Sequence, residues 1–256
     1  MRRKNLTKKS KHSWSRKLLL LLIGLIAAFL LLSVGEVVLL KFVPVWRTPL
    51  MVRRQIEARR EGKAYTVHKD WVKLEDISHE LPCAVMASED NLFQVHSGFS
   101  ERGIRKAIEE KMNKGEVRHG GSTISQQTAK NVFTSGRRTY SRKAMEVYYT
   151  FLIEKIWGKR RIMEVYLNVI EMGDGIFGAE AASQQFFHHS AAKLSRREAA
   201  LIAACLPNPR KMHADKPSAY VLKRQGQISA LVPKLGKIDL DNPENSAIVK
   251  QRAKKQ

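Results

Sequence analysis

The sequence predicts a mainly α protein, a helical globular domain carried behind a single membrane-spanning N-terminal helix. Three observations predict it. An apolar run from Leu18 to Gly35 contains no charge and resumes after Glu36 through Leu40. Downstream, apolar residues recur at helical spacing, and the alternation that marks strands is rare. Helix start and stop residues then punctuate the chain: Ser195 with Glu198 reads as a capping box, Ser122 and Ser141 stand where N-caps are needed, and Pro207 and Pro209 close the helix before them.

The first element is the anchor. Eighteen uninterrupted apolar residues at about 1.5 Å each span roughly 27 Å, close to the hydrocarbon thickness of a bilayer. A cleaved signal peptide has a shorter core of about 7–15 residues and a small-residue cleavage site, and no convincing site follows here. Residues 18–40 therefore read as an uncleaved signal anchor. The tail before it, residues 1–17, carries Arg2, Arg3, Lys4, Lys8, Lys9, Lys11, Arg16 and Lys17 and no acid. The positive-inside rule places that tail in the cytoplasm and everything after Lys41 outside.

Residues 41–66 read as a basic, partly helical juxtamembrane connector, residues 67–232 as the main domain, and residues 233–256 as a polar C-terminal tail. Within the domain, helices are expected over Ala84 to Gln94, Glu101 to Lys114, Ser122 to Phe133, Ser141 to Ile156, Arg160 to Glu171, Glu180 to Phe187, Arg196 to Leu206 and Pro217 to Leu231. The glycine-rich loops at Gly115 to Gly121 and Gly173 to Gly178 mark places where backbone approaches a ligand or moves. The two cysteines, Cys83 and Cys205, sit in apolar helical stretches and read as buried thiols rather than a disulfide or a zinc site.

The formal net charge is +22 at pH 7. The N-terminal tail explains only part of it. Such an excess favours an anionic partner: nucleic acid, an acidic membrane surface or a phosphorylated substrate. The predicted exported side of the membrane argues against nucleic acid.

Four constellations carry chemistry. In the first, the adjacent acids Glu89 and Asp90 lead into Phe93, His96, Gly98 and Phe99. Alone, such a pair is a solubilising surface feature; beside an aromatic-and-glycine bend it suggests a carboxylate held at a cleft edge. The second is Gly120-Gly121-Ser122-Thr123-Ile124-Ser125-Gln126-Gln127-Thr128-Ala129-Lys130-Asn131. Unpaired N–H groups at a helix start attract anions, and Gln127 and Lys130, three apart, share a face. Hydroxyls, an amide and an ammonium on one helix suit a sugar-phosphate, although a capped amphipathic helix would look the same. In the third, Arg137 and Arg138 precede Ser141-Arg142-Lys143-Ala144-Met145-Glu146, where Arg142 and Glu146 could pair across one turn or serve a phosphate. The fourth, Tyr166-Leu167-Asn168 followed by Glu171-Met172-Gly173 and Gly178-Ala179-Glu180, reads mainly as core, with Tyr166 and Asn168 structural.

In order and spacing, these motifs resemble the biosynthetic peptidoglycan glycosyltransferases, glycosyltransferase family 51. The resemblance covers roughly Leu81 to Pro209 and rests on Glu-Asp-x-x-Phe-x-x-His-x-Gly-Phe, Gly-Gly-Ser-Thr-Ile-Ser-Gln-Gln-x-x-Lys-Asn, Arg-Lys-x-x-Glu and Tyr-Leu-Asn. The chain is too short to add a transpeptidase domain, so it is most similar to the monofunctional, membrane-anchored form. His188-His189 departs from the Gly-Lys expected after the Phe-Phe pair. The resemblance implies a lysozyme-like fold, a cleft beside the membrane and a mobile segment near residues 103–120. It implies Glu89 as general base and Glu146 as second essential carboxylate. Lys130, Arg137, Arg142 and Lys143 are the expected pyrophosphate contacts, with Ser122 and Gln127 positioning sugar or phosphate. The substrates would be lipid II, the lipid-linked disaccharide precursor, and the growing lipid-linked glycan chain. No cofactor is required with certainty; a divalent cation, Mg or Mn, at Glu146 stays open, as does association with other cell-wall synthesis proteins. The competing readings are a lytic muramidase, which would not need the basic cluster from Lys130 to Lys143, and a non-catalytic membrane-tethered cell-wall scaffold.

Overall fold

The computed structural model describes residues 8–100, 105, 112, 121–136 and 139–243. The chain divides into two compact units after Val43. The first carries α1, Lys8–Phe42, of which Trp14–Phe42 is apolar and long enough to cross a membrane. Its leucines from Leu18 to Leu22 lie exposed, as a lipid-facing helix requires.

The second unit is mostly helical. It contains α2 (Pro49–Arg60), α3 (Glu80–Glu89), α4 (Ile124–Phe133), α5 (Tyr140–Ile156), α6 (Gly158–Val169), a hairpin of β1 (Glu171–Gly173) and β2 (Ile176–Phe177), then α7 (Ala179–Phe187), α8 (Arg196–Cys205) and α9 (Ala219–Leu231). Helix α4 packs on α2, α5 and α6, while α3 and α9 flank α8. Ala199, Ala200, Ala203 and Ala204 of α8 are buried and small, which lets the flanking helices approach closely. Ile162, Met163, Val165, Tyr166 and Leu167 of α6 are wholly buried and form the middle of the core. Burying each such side chain contributes about 1.5–3 kcal/mol before entropy is counted.

The helix boundaries show which local signals won. Helix α3 starts at Glu80 rather than Ala84 and stops at Glu89 rather than Gln94, because Asp90 leaves helical geometry at φ −158°. The caps of α4 and α5 are Thr123 and Thr139, not Ser122 and Ser141. Thr123 accepts from the Gln126 amide in a reciprocal capping box, and Thr139 accepts from the Arg142 amide. The Ser195–Glu198 capping box is present as expected. The helix expected to reach Glu171 ends at Val169, and Glu171 starts a strand instead. Asp174-Gly175 is a hairpin turn signal in the sequence, and Gly175 adopts φ +76°. The hairpin is antiparallel, pairing Glu171 with Phe177 and Gly173 with Ile176, and His68 bridges to Ile176 alongside it. Apart from Arg105 and Met112, the helix expected over Glu101 to Lys114 lies outside the described residues, as does the segment expected to be mobile.

Cys83 and Cys205 are free and buried. Burial pushes each thiol up to about 11, as expected for inert core cysteines. Asn168 is structural: its side chain donates to the Val72 and Glu164 carbonyls, both at 2.8 Å, and accepts from the Val72 amide at 2.9 Å.

Candidate active site

The Glu89–Asp90 pair divides its labour. Asp90 is buried and structural. It accepts from the Ile124 amide at 3.1 Å, at the first turn of α4, and contacts His96 Nε2 at 2.8 Å. Gly98 N–H donates to His96 Nδ1 at 3.1 Å, which leaves Nε2 carrying the proton toward Asp90. Thr123 Oγ1 donates to the Gly98 carbonyl at 2.7 Å. The bend after α3 is thereby tied to the start of α4. Gly98 is required in that bend. It adopts φ +88°, and a Cβ there would meet Glu154 Cγ and Thr150 Cγ2, each at 2.9 Å.

With that frame fixed, Glu89 at the end of α3 faces α4. Gln127 Nε2 donates to Glu89 Oε2 at 3.0 Å, and Tyr166 Oη donates to Gln127 Oε1 at 3.3 Å. Ser88 Oγ donates to Glu89 Oε1 at 3.4 Å. Burial, then the charges of Glu89 and Asp90, push the Tyr166 phenol well above its usual range, so it stays a proton donor. Beneath the bend, Lys159 bonds Glu154 Oε1 at 2.7 Å and the His96 carbonyl at 2.6 Å, and Ser125 donates to the same Glu154 oxygen. Burial lowers the Lys159 ammonium, and Glu154 and Asp90 oppose that shift.

Two adjoining cavities frame Glu89. The smaller, about 220 Å³, is lined by Glu89, Asp90, Asn91 and Ser122 among others. The larger, about 870 Å³, gathers Ser122, Gln127, Lys130, Arg142, Lys143 and Glu146 from α4, α5 and the turn before α4. Ser122 lines both, and Gln127 in the larger cavity touches Glu89 in the smaller. Seven of the eight residues singled out from sequence thus converge; the eighth, Arg137, lies outside the described residues. The expected Arg142–Glu146 alternative is replaced by a Lys143–Glu146 ion pair of 2.5 Å, in which Glu146 is buried and Lys143 half exposed. Arg142 Nε is buried in the same wall without a hydrogen-bond partner among the described residues.

Sequence reasoning missed the contribution of α2. Arg53 and Arg54 line the larger cavity, and Arg54 Nη2 pairs at 2.8 Å with the buried carboxylate of Glu171. Arg53 Nη1 donates to the Gly136 carbonyl at 3.2 Å. The segment that read as a connector therefore supplies one wall of the site. Its only local signal was Thr48-Pro49, a cap followed by proline at the helix start. The cavity wall carries Arg53, Arg54, Lys130, Arg142 and Lys143 against two acids, Glu146 and Glu171, and so favours an anionic ligand.

Comparison with known proteins agrees with this chemistry. The model of the transglycosylase family matches residues 56–232. Curated relatives named biosynthetic peptidoglycan transglycosylase include one from Bacteroides thetaiotaomicron, 49% identical over 84% of this chain and 88% of the relative. Another, from Bdellovibrio bacteriovorus, is 51% identical over 78% of this chain and 80% of the relative. One from Escherichia coli is 45% identical over 88% of this chain and 92% of the relative. The helical domain with its short hairpin is lysozyme-like, as the motifs implied. With its motifs assembled around one pair of cavities, this chain belongs to the transglycosylase family.

Proposed function

We propose that this chain is the peptidoglycan glycosyltransferase that polymerises lipid II into β-1,4-linked glycan strands, with Glu89 as its general base. The GlcNAc 4-hydroxyl of the incoming lipid-linked disaccharide attacks C1 of the terminal MurNAc of the growing chain. The hydroxyl proton passes to Glu89, the C1–oxygen bond to phosphate breaks, and polyprenyl pyrophosphate leaves. One displacement on an α-linked donor gives the β product. The observation that carries this reading is the carboxylate of Glu89 at the margin of a strongly basic cavity of about 870 Å³. A glycosidase must protonate a poor leaving group. Pyrophosphate leaves as a stabilised anion and needs cations instead, so one base and a basic wall are sufficient.

Lys130, Arg142 and Lys143 hold the pyrophosphate, with Arg137 completing the set, while Ser122 and Gln127 position sugar or phosphate. Glu146 keeps the Lys143 ammonium aimed into the cavity. Among the described residues no three His, Cys, Asp or Glu side chains are grouped to hold a metal. Mg or Mn, when bound, would be held by Glu146 together with substrate phosphate oxygens, where it would neutralise the leaving group. The chain sits in the bacterial cytoplasmic membrane through α1, with residues 1–17 in the cytoplasm and the domain outside; the basic N-terminal tail supports that orientation.

The test is polymerisation of purified lipid II by the detergent-solubilised protein beside Glu89→Gln. Long glycan from the wild type and a loss of at least about 100-fold in a folded Glu89→Gln support the assignment. Cleavage of preformed glycan without polymer would convert the reading to a lytic enzyme.

A further inference from the structure

Tyr166 lies in the middle of α6 and is wholly buried. Core packing explains its ring but not its hydroxyl. Among the described residues the one acceptor of that hydroxyl is Gln127 Oε1, at 3.3 Å, and the amide nitrogen of the same Gln127 donates to Glu89 Oε2 at 3.0 Å. From the Tyr166–Gln127–Glu89 chain of hydrogen bonds we infer that Tyr166 is a positioning residue for the glycosyl transfer, locking the Gln127 amide with its N–H toward Glu89.

A primary amide donates from one end and accepts at the other. Rotated by a half turn, Gln127 would present its carbonyl oxygen to Glu89 and its N–H to Tyr166. A carbonyl facing a carboxylate is repulsive; facing a carboxylic acid it is a good acceptor. The rotated amide would thus favour the protonated form of Glu89, which cannot accept the proton of the acceptor hydroxyl. Tyr166 opposes that rotation. If the amide turned, the phenol would accept from it and lose the acceptor for its own proton at a wholly buried side chain, a costly arrangement. Burial and the neighbouring acids keep the phenol protonated, so its donation persists at every working pH. Once Glu89 has taken a proton, the same lock disfavours a resting pair of protonated Glu89 and rotated Gln127, and so assists return of the base.

This inference rests on Glu89 acting as the base. The experiment compares kcat, KM and the pH profile of the full-length protein and Tyr166→Phe on lipid II in detergent. The ring of Tyr166→Phe still fills its site, and melting curves check its fold. The expected result is a kcat lower by about 5- to 20-fold, a KM within about twofold, and an acid limb displaced to higher pH. Gln127→Met, which keeps volume and removes both ends of the amide, should displace the acid limb in the same direction. In a Gln127→Met background, Tyr166→Phe should then cost nothing further. An unchanged kcat and acid limb in Tyr166→Phe, an unchanged limb in Gln127→Met, or fully additive losses in the double variant would each overturn the inference. Failure of the underlying reading looks different: Glu89→Gln would then polymerise as well as the wild type.

Discussion

The Lys69 ammonium lies over the indole rings of Trp46 and Trp71, 5.4 and 5.2 Å from their centres. Its Nζ is buried and has no hydrogen-bond partner among the described residues. Burial pushes this ammonium down to about 8, and Asp70 opposes the shift. The indole faces attract the cation as well, which moderates the cost of burial. Below about pH 8 the group is charged whether the chain is folded or not, and the folded state carries the whole desolvation cost. As pH rises from there toward the unfolded value near about 10.4, the folded chain releases the proton first and its stability rises. Lys69→Met should therefore be more stable than wild type by about 1 kcal/mol near neutrality, after solvent screening is allowed for, with the gap closing above about pH 10. Denaturant titrations of the two proteins at the two pH values measure it. A gap that is constant with pH would mean that packing, not charge, sets the difference. The residue scale is also where sequence reading was most effective at the site. Glu89, Gln127, Lys130 and Glu146 stand in motifs whose residue types disclose their chemistry. Arg53 and Arg54 do not, because an arginine in a basic helix looks the same whether it faces solvent or a cavity.

At the scale of elements, the site depends on how the end of α3 is held against the start of α4. Asp90 is the pin: it takes the Ile124 amide at 3.1 Å and His96 Nε2 at 2.8 Å in a buried setting. Asp90→Ala leaves a helix N-terminal amide and an imidazole without their acceptor. It should cost about 2–4 kcal/mol of stability, the range for breaking a buried, charge-assisted network. Activity should fall with it, because Gln127 is carried on the same first turns of α4. Asp90→Asn keeps the acceptor oxygen and should recover part of both losses; thermal melting and polymerisation rate read the two effects separately. Equal damage from Asp90→Asn and Asp90→Ala would show that charge rather than the acceptor itself is what counts. Element existence was legible in the periodicity, and boundaries were not. Ser122 and Ser141 are as good as Thr123 and Thr139 on propensity, and the choice between them is made by tertiary partners such as the Gly98 carbonyl. The hairpin at Asp174-Gly175 was hidden because two short strands give too few residues for a period to emerge. His188 shows the reverse case. The sequence pattern asked for glycine, and the structure supplies the reason: His188 ends α7 at φ +61°, where a side chain is tolerated at a cost.

For the whole molecule, the decisive pairing is between an apolar helix and a basic domain. The span Trp14–Phe42 is long and apolar enough to cross a bilayer, and the proposed substrate is itself confined to one. Tethering converts encounter in three dimensions into encounter on a surface, raising effective concentration by about 10²–10⁴ without any new contact at the site. A chain beginning at Pro44 should therefore keep most of its kcat when lipid II is dispersed in detergent, since the cavity residues all belong to the second unit. On vesicles carrying lipid II it should lose at least about tenfold in rate per enzyme relative to the anchored protein. Of the formal charge of +22, +14 lies in the chain from Pro44 onward and adds a second, separable term. Anionic lipid should restore part of the truncated protein's rate, and that restoration should fade as salt shortens the screening length to about 3 Å at 1 M. The anchored protein should be far less sensitive to salt, because its hold on the bilayer is apolar. Measuring both proteins on neutral and anionic vesicles across a salt series separates the contributions. A truncated protein as fast as the anchored one on neutral vesicles would mean that capture from the membrane is not what α1 supplies. Loss of rate in detergent as well would mean that α1 is needed for the catalytic unit itself.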